Sequence, residues 1–177
     1  MRKVTQTVLV SADGVVGDPG LWALDYRDAE VEKDTVERLG DSDTMIVGRG
    51  TYELFAATWP GQSSEFARRM NSMRKYVFSS TLAEASWNNS TIVSGDAAAA
   101  VARLKQQDGA DLLLYGHGSL AHTLWEHGLV DELRLSIHPV LAGRGQLLFW
   151  ESGKTPLELD SVAMLGTGVV ILSYQPV

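Results

Sequence analysis

Short apolar runs alternate with helical segments over the first two-thirds of the chain, and this alternation constrains the fold more than any other feature. Residues 44–47 and Leu112–Tyr115 are almost continuously apolar, as is typical of strands that are covered on both faces. Ser119–Glu126 has Leu120 and Leu124 at helical spacing. Strands that alternate with helices in this way predict a mostly parallel sheet with helices on both faces.

The last third of the chain has a different pattern. In residues 133–137 apolar and polar side chains alternate, which predicts a half-exposed strand. Residues 157–165 and 169–174 are joined by Gly166-Thr167-Gly168, which predicts a hairpin. We therefore predict an α/β fold of three layers, α/β/α, with a mostly parallel central sheet and an antiparallel C-terminal edge hairpin. The length of 177 residues fits a single domain over residues 1–177.

Charge and composition exclude several classes of function. The net charge of −7 argues against nucleic acid as a partner. The absence of cysteine excludes disulfides and thiolate metal sites. His117, His122 and His127 are five residues apart, about 140° around a helix, so they do not share one face and we expect no metal. Without an apolar run of membrane or signal-peptide length, we expect a cytoplasmic protein and no membrane partner.

Two strand-to-helix turns carry the chemistry of the chain, at residues 47–52 and 115–120. Each turn runs from a buried strand through two glycines into a helix. Glycine lets the backbone approach a ligand closely, and the first turn of a helix offers unpaired N–H groups to an anion. Arg49 adds a charge suited to phosphate. We interpret the two turns as a phosphate site, the alternative being ordinary turn glycines.

Three consecutive hydroxyl residues follow the next strand, at Ser79, Ser80 and Thr81. Hydroxyls at a strand end could contact a phosphate, and the alternative is a polar loop.

Five motifs in order resemble the dihydrofolate-reductase-like superfamily, and in particular stand-alone relatives of the riboflavin-biosynthesis reductase domain. They are Val10-Ser11-Ala12-Asp13-Gly14, Gly48-Arg49-Gly50-Thr51-Tyr52-Glu53, Val77-Phe78-Ser79-Ser80, Gly116-His117-Gly118-Ser119-Leu120 and Pro139-Val140-Leu141-Ala142-Gly143-Arg144-Gly145. The resemblance extends over nearly the whole chain.

The resemblance implies a site for NADPH. It implies that Arg49, Ser79 and Ser80 lie near the adenosine ribose phosphate, and that Thr51 and residues 116–120 hold the pyrophosphate. The predicted cofactor-binding residues are Gly48, Arg49, Thr51, Ser79, Ser80, Thr81, Gly116, Gly118, Ser119 and Leu120. His117 departs from the family pattern, which has a second glycine at this position.

The resemblance also implies a substrate pocket, for which we predict Asp13, Trp22, Tyr52 and Ser136. Trp22 and Tyr52 could equally be core aromatics. Dihydrofolate reductases carry a carboxylate on their first helix, and here the aligned position falls at Arg27 or Asp28. Asp25, Asp28 and Glu30 are close by, but acids also favour the start of any helix, so no catalytic residue is assigned.

The predicted function is an NADPH-dependent reductase of a small heterocyclic or ribosyl-phosphate substrate, similar to 5-amino-6-(5-phosphoribosylamino)uracil reductase. One alternative is a ligand-binding module without turnover, which His117 and the uncertain acid favour. Another is a true dihydrofolate reductase. The resemblance further implies a homodimer, for which the apolar residues 146–150 and 169–172 could supply an interface.

Overall fold

A single eight-stranded sheet organises the molecule, as seen in a computed structural model that describes residues 1–40, 42–148 and 154–177. The strand order is β4-β3-β2-β5-β1-β6-β8-β7. The strands are β1 (Val4–Ser11), β2 (Thr44–Gly48), β3 (Arg74–Phe78), β4 (Ser90–Val93), β5 (Leu112–Tyr115), β6 (Glu132–His138), β7 (Leu157–Met164) and β8 (Val170–Pro176). Strands β1 to β6 pair in parallel, whereas β8 is antiparallel to both β6 and β7. The mostly parallel sheet with an antiparallel edge hairpin is thus confirmed.

Helices cover both faces of the sheet. They are α1 (Ala29–Leu39), α2 (Arg49–Thr58), α3 (Glu65–Ser72), α4 (Ala97–Gln106) and α5 (Ser119–Glu126). On one face α4 and α5 pack on Ile46 and Leu114, and on the other α1, α2 and α3 pack around Met45 and Val47. Successive side chains of β2 and β5 point to opposite faces of the sheet, and each face has its own buried core. Both sets of side chains are therefore buried, which is why these strands are continuously apolar.

Helix α3 is absent from the elements predicted above. Ser64 caps it by accepting a hydrogen bond from the N–H of Ala67, and Phe66 and Met70 bury its apolar side. The sequence pattern that could have predicted this helix was the four-residue spacing of these two side chains after a serine N-cap. The helix has only eight residues, so its periodicity spans barely two turns.

The parallel strands end at one common edge. Gly48 at the end of β2 lies opposite Phe78 at the end of β3, and Tyr115 at the end of β5 lies opposite Val47. Strands β1 and β6 end together at Ser11 and His138. Because β2 and β5 are neighbours, the two glycine turns that follow them lie side by side at this edge.

Candidate functional site

The helices that follow the two glycine turns differ from the other three in how they begin. Asp28, Ser64 and Asp96 cap α1, α3 and α4 by accepting hydrogen bonds from helix N–H groups. Helices α2 and α5 follow Gly48 and Gly118 instead, and no side chain in the described part of the chain caps them. Their first N–H groups are therefore available to an anionic ligand.

These two helix N-termini converge. Gly116 has φ +102°, and a Cβ atom built on it would lie 2.7 Å from Thr51 Oγ1. A Cβ atom built on Gly48 would lie 4.0 Å from the Cβ atom of Leu120. Gly116 is thus required both for its backbone conformation and for the close approach of the two turns. The structure brings Gly48, Thr51, Gly116 and Leu120 together, although they are distant in sequence.

Arg49 and the hydroxyl cluster also meet. The guanidinium of Arg49 donates to Thr81 Oγ1 at 2.7 Å and to the Glu53 carboxylate at 2.7 Å. Ser79 Oγ accepts hydrogen bonds from the N–H groups of Thr81 and Leu82, at 3.2 and 3.0 Å, and so shapes the loop. Ser80 is exposed. A cation and three hydroxyl groups therefore border the converging helix N-termini on one side.

His117 lies between the two glycines of the second turn and is half-buried. His127 and His138 each have a backbone carbonyl partner, and His122 lies 3.5 Å from Glu126. The side chain of His117 makes no hydrogen bond to the described residues. Within the same residues, no group of three or more His, Asp or Glu side chains could hold a metal ion.

The face of the sheet that carries α1 and α2 is open to solvent beside the converging turns, and we call this opening the cleft. Leu9 is 38 % exposed although β1 is a central strand, so the sheet is open to solvent there. Leu9 pairs with Ser136, and two residues earlier Thr7 pairs with Tyr115, which places all four on the same face. Helix α2 borders the β5 side, where Phe55 packs on Tyr115 with ring centroids 5.3 Å apart.

Helix α1 borders the other side of this cleft, where Arg134 of β6 donates to the carbonyl of Arg38 at 2.6 Å. Of the floor residues, only Ser136 is among the substrate-pocket residues predicted from the sequence. The missed signal was the two-residue alternation along β1, because Thr7 and Leu9 stand on the face opposite Val8 and Val10. The Tyr115 hydroxyl is protonated at neutral pH, as tyrosine ordinarily is, and burial raises its pKa further, so it can donate a hydrogen bond.

Trp22 lies where β1 and β6 end and is only 8 % exposed. Its indole N–H donates to the carbonyl of Gly17 at 3.0 Å, and its ring meets that of His138 edge to face at 5.4 Å. The ring of Tyr26 contacts the same imidazole at 5.9 Å. Burial lowers the pKa of His138, so its imidazole ring is uncharged at neutral pH.

Asp13 and Tyr52 are both engaged within the chain. The Asp13 carboxylate accepts from Ser11 Oγ and from the N–H groups of Gly143 and Ala142, which together lower the pKa of Asp13. It thereby joins the loop after β1 to the loop after β6. Tyr52 is 3 % exposed in the core, and its hydroxyl accepts from the N–H of Trp87. We therefore leave Tyr52 out of the proposed substrate site, because its core position was the alternative that the sequence left open.

The acids near the start of α1 are also engaged elsewhere or exposed. Asp28 caps the helix through the N–H of Val31, and Glu30 accepts from the N–H of Gly166 at 2.8 Å. Asp25 and Arg27 are exposed. The floor residues Thr7, Leu9, Tyr115 and Ser136 include no carboxylate.

No helix among the described residues is both long enough and apolar enough to cross a bilayer.

The family model of the RibD C-terminal domain matches residues 2–171 of this chain. Among curated proteins, the chain is 31 % identical to the uncharacterized protein YyaP of Bacillus subtilis (strain 168), over 98 % of this chain and 94 % of YyaP.

Solved structures share the fold. The putative riboflavin biosynthesis protein from Shewanella sp. PV-4 is 18 % identical, with a TM-score of 0.80 over 99 % of both chains. The deaminase/5-amino-6-(5-phosphoribosylamino)uracil reductase of Thermotoga maritima is 14 % identical, with a TM-score of 0.69 over 99 % of this chain and 57 % of that one. Dihydrofolate reductase from Enterococcus faecalis, complexed with NADP(H), is 14 % identical, with a TM-score of 0.67 over 98 % and 96 %.

Proposed function

Because the chain belongs to the RibD C-terminal domain family, we propose that it is a cytoplasmic, NADPH-dependent reductase of a small heterocyclic or ribosyl-phosphate substrate. Reductases among the structural neighbours support the oxidoreductase class. The observation that carries the proposal is the convergence of two uncapped helix N-termini at Thr51 and Gly116, beside a cleft whose floor is a central strand.

The residues at the converging turns fit the two phosphate-bearing parts of NADPH, its pyrophosphate and its ribose phosphate. The first N–H groups of α2 and α5, with Thr51 and Ser119, would hold the pyrophosphate. Arg49 and the hydroxyls of Ser79, Ser80 and Thr81 would hold the ribose phosphate. When bound, the nicotinamide supplies the hydride, and the protein supplies orientation and polarity.

The cleft beside these turns would hold the substrate. Leu9 offers an apolar surface to a flat ring, while Thr7, Ser136 and the protonated hydroxyl of Tyr115 offer hydrogen bonds to polar edges. These uncharged groups would orient a heterocycle without donating a proton from a carboxylic acid. Trp22, which is buried against His138 at the end of β1, would exclude water from that end of the cleft.

The second candidate is a ligand-binding module without turnover. Two observations favour it: the four floor residues include no carboxylate, and His117 stands where the family has glycine. The decisive experiment follows NADPH oxidation with 5-amino-6-(5-phosphoribosylamino)uracil as substrate. Turnover supports the reductase, whereas NADPH binding without oxidation of NADPH by this substrate or other aminopyrimidines supports the binding module.

We predict that the protein prefers NADPH to NADH and that Arg49→Ala removes most of this preference. Losing a charged hydrogen bond to phosphate costs about 1.5–3 kcal/mol, roughly ten- to a hundredfold in affinity. Calorimetric titration of both cofactors measures the effect. Arg103→Ala is the matched control, because Arg103 is an exposed arginine in the last turn of α4. Equal affinity of the wild type for NADPH and NADH would contradict the prediction.

We further propose a homodimer, formed through the edge strand β7. Its large apolar side chains are exposed, at 38 % for Leu157, 50 % for Leu159, 58 % for Val162 and 77 % for Met164. A long apolar edge strand is a template for pairing with another chain. Of the segments predicted for this role, residues 169–172 pack internally instead, because β8 lies between β6 and β7 and buries Val169 and Ile171. Phe149 and Trp150 lie outside the described residues.

Light scattering during gel filtration tests the dimer. We expect a dimer mass at micromolar concentration, and we expect Val162→Asp to weaken the dimer at least about tenfold, because a buried charge opposes association. Leu54→Asp is the control, because Leu54 is 55 % exposed on α2, which packs on β2 and β3, whereas β7 lies at the far edge of the sheet. A monomer mass for the wild type would refute this proposal.

A further inference from the structure

Gln6 is a polar side chain in the middle of the sheet and is not among the site residues predicted from the sequence. It is 0 % exposed on the central strand β1, on the face that α5 covers. Its Nε2 donates to the carbonyl of Gly116 at 2.8 Å, and its Oε1 accepts from the indole N–H of Trp125 at 2.6 Å. A buried amide is costly unless it is hydrogen-bonded, so an apolar residue would be the simpler choice for stability alone.

The bond from Gln6 fixes the peptide between Gly116 and His117. In a trans peptide the carbonyl and the N–H point in opposite directions. Since the Gly116 carbonyl is directed at Gln6, the N–H of His117 is directed away from the buried core beneath it. This N–H makes no hydrogen bond to the described part of the chain, and Thr51 lies against Gly116 from the neighbouring turn.

We propose that Gln6 is a positioning residue that aims the N–H of His117 at the diphosphate of the bound dinucleotide. The proposal rests on the proposed function, because it assumes that the two turns hold that diphosphate. Trp125 completes the arrangement by holding the Gln6 amide in the orientation that donates to Gly116. The chain Trp125–Gln6–Gly116 thereby connects α5, β1 and the second turn, and it fixes the backbone without any contact between Gln6 and the ligand.

The test compares cofactor affinity with thermal stability in matched variants. Gln6→Met removes the donor and the acceptor while keeping a side chain of similar size, and we expect it to weaken NADPH binding about tenfold. Trp125→Phe removes only the bond that orients the amide, and we expect roughly a threefold loss. Thr44→Val is the control. Thr44 is equally buried but lies at the start of β2, a strand length away from the glycine turns, where its hydroxyl hydrogen-bonds with Arg2 and Asp43.

The expected result is a lower melting temperature for both Gln6→Met and Thr44→Val, with weaker NADPH binding for Gln6→Met and unchanged binding for Thr44→Val. Unchanged affinity in Gln6→Met would overturn the inference, because the residue would then serve stability alone. If Gln6→Met does not fold, unchanged affinity in Trp125→Phe would overturn it. A wild type that fails to bind NADPH would refute the proposed function and the role of Gln6 together. A wild type that binds NADPH, with unchanged affinity in Gln6→Met, would refute the role of Gln6 alone.

Discussion

We expect this protein to reduce dihydrofolate with kcat/KM below about 10⁴ M⁻¹ s⁻¹, under the ordinary range of enzymes. Folate reduction needs a proton at the pterin ring as the hydride arrives. A carboxylic acid within hydrogen-bond reach of the ring typically contributes 10²- to 10⁴-fold to such a step. The floor residues of the cleft offer hydroxyl groups and Leu9 instead. The carboxylate of Glu132, two residues before Arg134 on the same face of β6, is engaged by Thr5 and Arg134.

The acids of the first-helix region cannot take this role from where they lie. Asp28 and Glu30 accept hydrogen bonds from the N–H groups of Val31 and Gly166. Asp25 is exposed to solvent rather than enclosed beside a bound ring. Arg27 stands at one of the aligned positions, and its charge would repel a protonated pterin.

A spectrophotometric assay of NADPH consumption tests this expectation, with dihydrofolate and the aminopyrimidine ribosyl phosphate measured side by side. Binding of NADPH to the same preparation is the control that the enzyme is competent. A kcat/KM for dihydrofolate of about 10⁴ M⁻¹ s⁻¹ or more would show that an acid reaches the ring, and would contradict the arrangement described for α1.

We expect Lys75→Met to lower the free energy of unfolding by about 3 kcal/mol. Lys75 on β3 is 1 % exposed, and its ammonium donates to the carbonyls of Asn71, Met73 and Asn88 at 3.1, 2.8 and 3.1 Å. It also lies 4.2 Å from the ring centroid of Trp87. Burial lowers the pKa of Lys75 to about 8, so the amine is still mostly protonated at pH 7.

Methionine would fill the space of Lys75 but leave the carbonyls of Met73 and Asn88 without their donor, and each buried unsatisfied group costs about 1–3 kcal/mol. The Asn71 carbonyl keeps the side-chain N–H of Asn88, at 2.8 Å. Urea denaturation at a fixed protein concentration measures the loss. Lys33→Met is the control, because the side chain of Lys33 is 77 % exposed and its ion pair with Glu37 contributes little. A loss below about 1 kcal/mol for Lys75→Met would show that the carbonyls find other partners.

The elements with strong local signals were predictable. The sheet with its antiparallel hairpin follows from apolar runs, two-residue alternation and the Gly166-Thr167-Gly168 turn, all of which are properties of neighbouring residues. The two glycine turns were predictable for the same reason, since Gly48 and Gly116 each stand between an apolar strand and a helical pattern. Strand β1 begins at Val4, well before the apolar run of residues 8–10, because pairing with β5 and β6 extends it.

Local preferences of the chain specify which residues form strands, helices and glycine turns. Which side chains share a site depends on long-range packing, which those local preferences do not contain. Gln6 and Gly116 are 110 positions apart, Asp13 and Gly143 are 130 apart, and Glu30 and Gly166 are 136 apart. Whether a carboxylate caps a backbone N–H or faces a cleft depends on strand order and register, which bring such partners together only after the whole sheet has formed.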